Sequence, residues 1–117
     1  MTLRDQDFEM WQGENKLVYF TITGDSSAVK DLTDSTSFLW KALRHVGSTS
    51  ATIAKSTAGG GITVTGATSG IFCVTISSSD TESINGRFYH EARFTDSDGK
   101  NEVVSTGILI INRSGTL

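Results

Sequence analysis

Four groupings in this chain carry side chains that could do chemistry. Asp96-Ser97-Asp98-Gly99 opens like a calcium loop, with carboxylates at alternate positions. The full pattern needs a further oxygen ligand and a Glu at the twelfth position, but Lys100 stands where that ligand would fall and no Glu follows at the spacing. The residues favour a hairpin turn, in which Gly takes the positive φ angle and Asp bonds its own backbone. Ala58-Gly59-Gly60-Gly61 lacks the Lys-Ser/Thr and the following helix of a phosphate loop, so it reads as a flexible connection. His45 and His90 have no matching Cys or His spacing, and could hold a metal only if the fold brought them together. His90 is expected inward, its ring partly hydrogen-bonded. Asp80 and Glu82 are the residue types of a glycoside-cleaving acid pair, but beside Ser77-Ser78-Ser79 they are expected as solvated loop groups.

Cys73, the single cysteine, lies in the apolar run Ile71-Phe72-Cys73-Val74-Thr75-Ile76 and is expected as a buried, inert thiol. No nucleophile, base and orienting group can be assembled. No catalytic, cofactor-binding or metal residue is therefore assigned, and the chain is expected not to be an enzyme. The aromatic residues point instead to contact. Trp40, in phase with Phe38 and Ala42, is expected in the core. Trp11, on a first short strand, is a candidate for a partner subunit. Trp11 or Tyr89 could also serve as a stacking platform for a sugar ring.

The elements that would position these residues are strands. In Arg87 to Phe94, side chains alternate: Phe88, His90, Ala92 and Phe94 fall on one side, Arg87, Tyr89, Glu91 and Arg93 on the other. A returning apolar strand ends in Ile108-Leu109-Ile110-Ile111. Phe8 to Trp11 is a first strand, broken by Gly13-Glu14-Asn15. Lys16 to Thr23 is β-branched and aromatic on both faces, which predicts a central strand. Gly24 to Ser27 reads as a turn, and Val29 to Thr33 as a crossing segment whose Leu32 plugs the core. Ser37 to Val46 has helix-forming residues, but its alternation and the following Ala51 to Lys55 predict a hairpin. Ile62 to Thr65 and Ile71 to Ile76 are short strands joined by a turn over Gly66 to Gly70. Ser79 and Glu82 have capping-box spacing, enough for one helical turn.

Seven or eight short strands predict an all-β chain, an antiparallel β-sandwich of immunoglobulin-like architecture without the Cys-Trp-Cys signature. At 117 residues it is expected to be one domain, ordered over about 8–112, with flexible ends at 1–7 and 113–117. A formal charge of −3 disfavours nucleic acid. No apolar run is long enough for a membrane span. The polar start has no signal-peptide pattern, so the product is expected in the cytoplasm unless it leaves in an assembled particle. With no Pro in the chain, exposed strand edges must be guarded by charges or partners.

The order of several of these segments resembles the immunoglobulin-like domain of tailed-phage and prophage structural proteins, such as the N-terminal domain of the baseplate upper protein family. The matching residues are Tyr19-Phe20-Thr21-Ile22-Thr23, then Val29-Lys30-Asp31-Leu32-Thr33-Asp34-Ser35-Thr36, then the strand with Phe38 and Trp40. Gly61-Ile62-Thr63-Val64, Gly70 to Ile76, Ser79-Asp80-Thr81, Gly86 to Glu91, Asp96 to Gly99 and Gly107 to Ile110 follow in order. The resemblance implies a virion structural protein (baseplate, tail, neck or head decoration), without catalysis, packing against other virion proteins or copies of itself. A carbohydrate-binding or adhesive sandwich that touches host-surface glycan is the alternative.

Overall fold

The computed structural model describes residues 6–21, 35–48, 50–66, 70–96, 99 and 101–116. Eight strands and one helical turn follow in chain order: β1 (Phe8–Trp11), β2 (Lys16–Thr21), β3 (Ser35–Leu43), β4 (Ile53–Ser56), β5 (Ile62–Gly66), β6 (Ile71–Ile76), α1 (Ser78–Thr81), β7 (Gly86–Asp96) and β8 (Asn101–Asn112). They form a five-stranded sheet in the order β1-β8-β7-β3-β4 and a three-stranded sheet in the order β2-β6-β5. The all-β class is as expected, and residues 37–43 are strand. The pairing is not wholly antiparallel, because β1 runs parallel to β8, with Phe8 opposite Leu109 and Trp11 opposite Asn112.

The period-two pattern decides which faces meet. Phe88, His90, Ala92 and Phe94 of β7 are buried, with Trp40 and Ala42 of β3, Leu109 and Ile111 of β8 and Met10 of β1. Phe20, Phe72, Val74 and Ile76 cover them from the three-stranded sheet. A run of stacked rings ties the layers: Phe20 on Phe72 at 5.1 Å, Phe38 on Phe72 at 4.7 Å, and Phe38 on Phe94 at 5.8 Å between centroids. Such pairs add to the burial of large apolar area. Cys73 is buried as expected.

Both sides of the two layers are closed by the chain. Gly13 (φ +76°) turns β1 into β2, and its N–H donates to the buried Thr81 Oγ1 at 2.9 Å. Gln12 donates to the Ile84 carbonyl at 2.9 Å, and the Ser78 N–H donates to Asn15 Oδ1 at 2.9 Å. This corner therefore clamps the β6-α1-β7 connection. On the opposite side Ala58 to Gly61 carries the chain from one sheet to the other. Its glycines are hydrogen-bonded, not open: the Gly59 N–H donates to Ser56 Oγ at 2.7 Å. Gly60 and Gly61 accept from Ser56 and Thr75 at 3.1 and 2.7 Å. Gly61 has a positive φ, and a Cβ there would strike the Lys55 stem.

Two further expectations change. Lys16–Thr21 is not central: among the described residues it is an edge of the three-stranded sheet. Its second apolar face, Leu17 and Tyr19, is 56% and 58% exposed. β8, with Ile108 and Ile110 alternating with the buried Leu109 and Ile111, is apolar on both faces and lies inside its sheet. The helical turn is two residues earlier than the Ser79/Glu82 spacing implied, capped by Ser77 with Asp80. The segments 24–27 and 29–33, the middle of the turn at 67–69, and residues 97, 98 and 100 of the calcium-like loop lie outside the described residues. The loop's context is nonetheless a hairpin, since Thr95 pairs with Asn101 and Gly99 has a φ of +80°.

Candidate contact surface

The outward side chains of the five-stranded sheet come from the alternate positions that β7 leaves unburied. Row by row across β1, β8 and β7, Glu9 stands beside Ile110 and Ile110 beside Arg87, while Ile108 stands beside Tyr89 and Thr106 beside Glu91. β3 continues the rows, with Leu43 beside Tyr89, Lys41 beside Glu91 and Leu39 beside Arg93. Ile108 and Ile110 are half-buried although they face away from the core.

Three adjoining hollows lie on this face. One of about 320 Å³ is walled by Leu39, Leu43, Val46 and Tyr89 and edged by Lys41, Glu91 and Arg93. A second of about 340 Å³ lies over Ile108 and Ile110 between Asp7, Glu9 and Arg87. The third, about 360 Å³, connects them through Tyr89, Val46, Arg87 and Ile108. The three share residues, so they form a continuous shallow trough across the strands. Val46, in the turn after β3, stands 70% exposed at its rim.

The charged groups of the trough are partly held in place. The Tyr89 hydroxyl donates to Glu91 Oε1 at 2.8 Å, and Arg93 Nη2 is 3.8 Å from the same carboxylate. Burial and the adjacent Glu91 charge push the Tyr89 hydroxyl up to about 12, so it remains a donor throughout the neutral range. Arg44 donates to the Asn85 carbonyl at 3.0 Å and lies 4.4 Å over the Phe88 ring, a cation–π contact. Asp7 Oδ1 accepts the Ile108 N–H at 2.8 Å. Glu9 Oε2 accepts from Asn112 Nδ2 at 3.3 Å.

The two aromatic residues singled out from the sequence have different places. Tyr89 is at the centre of the trough. Trp11, 54% exposed, is on the same face but at its corner, opposite Asn112. Four residues along β8 and two strands across separate them, roughly 13 Å by 10 Å. One sugar ring cannot touch both. Trp40 is fully buried, as expected. The sequence reading missed Leu39, Val46, Ile108 and Ile110. The signal for the last two was present: isoleucines alternate with the buried Leu109 and Ile111, so the strand is apolar on both faces.

The groups weighed for catalysis are placed apart. His90 is buried, its Nε2 2.7 Å from the Gln6 carbonyl, while Trp40 Nε1 donates to its Nδ1 at 3.4 Å. His45 is exposed in the turn after β3. Asp80 binds Lys55 at 2.7 Å and accepts the Ser77 N–H at 2.8 Å. Burial raises its carboxyl, but the hydrogen bonds from Lys55 and Ser77 outweigh that and leave it below its ordinary value. Glu82 is exposed. Among the described residues, no three His, Cys, Asp or Glu side chains converge as metal ligands. No helix among them is long and apolar enough to cross a membrane. No protein-family model matches the chain, and no curated protein matches it.

Proposed function

We propose that this chain is an immunoglobulin-like contact module, a non-enzymatic structural component of a phage or prophage particle, and that the trough on its five-stranded sheet is its working surface. The strand order supports the immunoglobulin-like reading. With β2 to β8 taken as strands B, C, C′, D, E, F and G, the sheets are B-E-D and G-F-C-C′, with β1 joined to G. Phe20 on B, Trp40 on C and His90 on F meet where antibody domains set a Cys-Trp-Cys cluster: His90 lies 5.8 Å from Trp40 and 6.1 Å from Phe20. Rings take the place of a disulfide.

The observation that carries the functional reading is the trough itself. Half-exposed Leu39, Leu43, Tyr89, Ile108 and Ile110 alternate with charges of both signs on one broad face. Apolar centres with charged rims are what protein interfaces are built from. The setting in a virion is the one implied by the resemblance to baseplate-type domains, and mass spectrometry of purified particles tests it. The chain should be present there in stoichiometric amount; particles that lack it would remove the structural role.

A second reading has one favourable observation: the hollow beside Tyr89 places an aromatic wall next to Lys41, Glu91 and Arg93, which can exchange hydrogen bonds with sugar hydroxyls. In that case host-surface glycan is the partner. Binding on a glycan array should disappear in Tyr89→Ala and persist in Trp11→Ala; a blank array with the wild-type chain eliminates this reading.

A further inference from the structure

Glu9, Ile110 and Arg87 form a single row across β1, β8 and β7: acid, apolar residue, base. All three point outward, and Glu9 and Arg87 are exposed. No ion pair joins either to another described residue. The neighbouring row repeats the pattern more loosely, with Asp7 held at the Ile108 N–H and Tyr89 beyond it. The base end is reinforced by Arg44, whose guanidinium lies over Phe88, and by His45; no acid joins these residues in the hollow they line.

A row ordered acid, apolar, base has a geometric consequence. A twofold axis laid along β8, in the plane of the face, exchanges β1 with β7. It sets Glu9 of one copy over Arg87 of the other, and Arg87 over Glu9, with the Ile108 and Ile110 pairs meeting on the axis. The contact is isologous: the same patch is used twice and closes on itself. The strands of the two facing sheets run alongside each other, the aligned arrangement in which sheets pack. The two ion pairs lie at either flank of an apolar strip and fix the register, which is the role charges play best at an interface.

Building on the contact reading of this face, we propose that its occupant is a second copy of the same chain, joined face to face about β8 through reciprocal Glu9–Arg87 pairs. The full chain should form dimers that weaken as salt rises, because the flanking pairs are screened. The test is sedimentation equilibrium on four proteins: wild type, Arg87→Glu, Glu9→Arg, and the double charge swap. Both positions are exposed, and circular dichroism and melting temperature check that each variant is folded. Each single swap puts two like-charged contacts in the dimer and should weaken association by about tenfold or more. The double swap recreates both pairs in reverse and should restore the wild-type constant.

A wild-type chain that stays monomeric at the highest concentration overturns the proposal. So does a dimer indifferent to the single swaps, or a double swap that fails to recover. If the chain is monomeric yet present in purified particles, the homodimer falls and the structural reading stands. If it is monomeric and absent from particles, the structural reading falls with it.

Discussion

At the residue scale, the buried His90 is the most constrained group. Its Nε2 bonds the Gln6 carbonyl and its Nδ1 receives the Trp40 indole N–H, so the neutral ring satisfies both neighbours. Burial lowers its pKa below the ordinary 6.5, against the opposing pull of the Gln6 carbonyl and Asp7. The unfolded chain then takes up a proton near 6.5 while the folded chain resists it. The stability contribution is complete above that value and is lost as pH falls through the window below it. Urea unfolding followed from neutral pH to about pH 5.5 should show this slope, and His90→Gln should flatten it. Gly107 belongs to the same cluster: a Cβ there would lie 2.5 Å from the Gln6 oxygen and 2.8 Å from His90 Nε2. Gly107→Ala should therefore cost about 1–3 kcal/mol by pushing the 6–7 segment off the imidazole, measured by denaturant unfolding. The inward position of His90 was legible from its alternation with Phe88 and Ala92. The need for glycine at 107 was not, because the group it makes room for lies at the other end of the chain.

At the element scale, the helical turn α1 is a fastener between layers. Asp80 accepts from both the N–H and the hydroxyl of Ser77, at 2.8 and 2.9 Å, and binds Lys55 reaching across from β4. Asp80→Ala removes the cap and leaves a largely covered ammonium unpaired, so a loss of about 1–3 kcal/mol is expected in chemical denaturation. Because the Asp80 carboxyl sits below its ordinary 3.8, its contribution is full above that value and fades as pH falls through the lowered one. Pattern alone located the helical turn but set its frame two residues late, since Ser77, Ser78 and Ser79 are interchangeable as caps until Lys55 chooses Asp80. The misplacement of Lys16–Thr21 has a similar source. Apolar residues on both faces signal cover but do not say whether the cover is a sheet neighbour, and Leu17 and Tyr19 are exposed at an edge. The parallel β1–β8 pair was also illegible, because strand direction relative to a partner about 100 residues away leaves no local pattern.

At the scale of the whole molecule, two sheets pack face to face and the five-stranded one turns a broad face outward. The all-β class and the inward set of β7 and β3 follow from alternation. The trough follows only once β1, β8, β7 and β3 are placed side by side, because its residues come from four separate stretches. Its centre is the Ile108–Tyr89 row, and its counterpart is the smaller exposed pair Leu17 and Tyr19 on the other sheet. Hydroxyl-radical footprinting compares the two faces directly, with the dilute chain set against the assembled chain. Leu39, Val46, Tyr89 and Ile108 should lose reactivity on assembly while Leu17 and Tyr19 keep theirs. Unchanged reactivity at Tyr89 and Ile108, or protection confined to Leu17 and Tyr19, would contradict the assignment of the five-stranded sheet as the working surface.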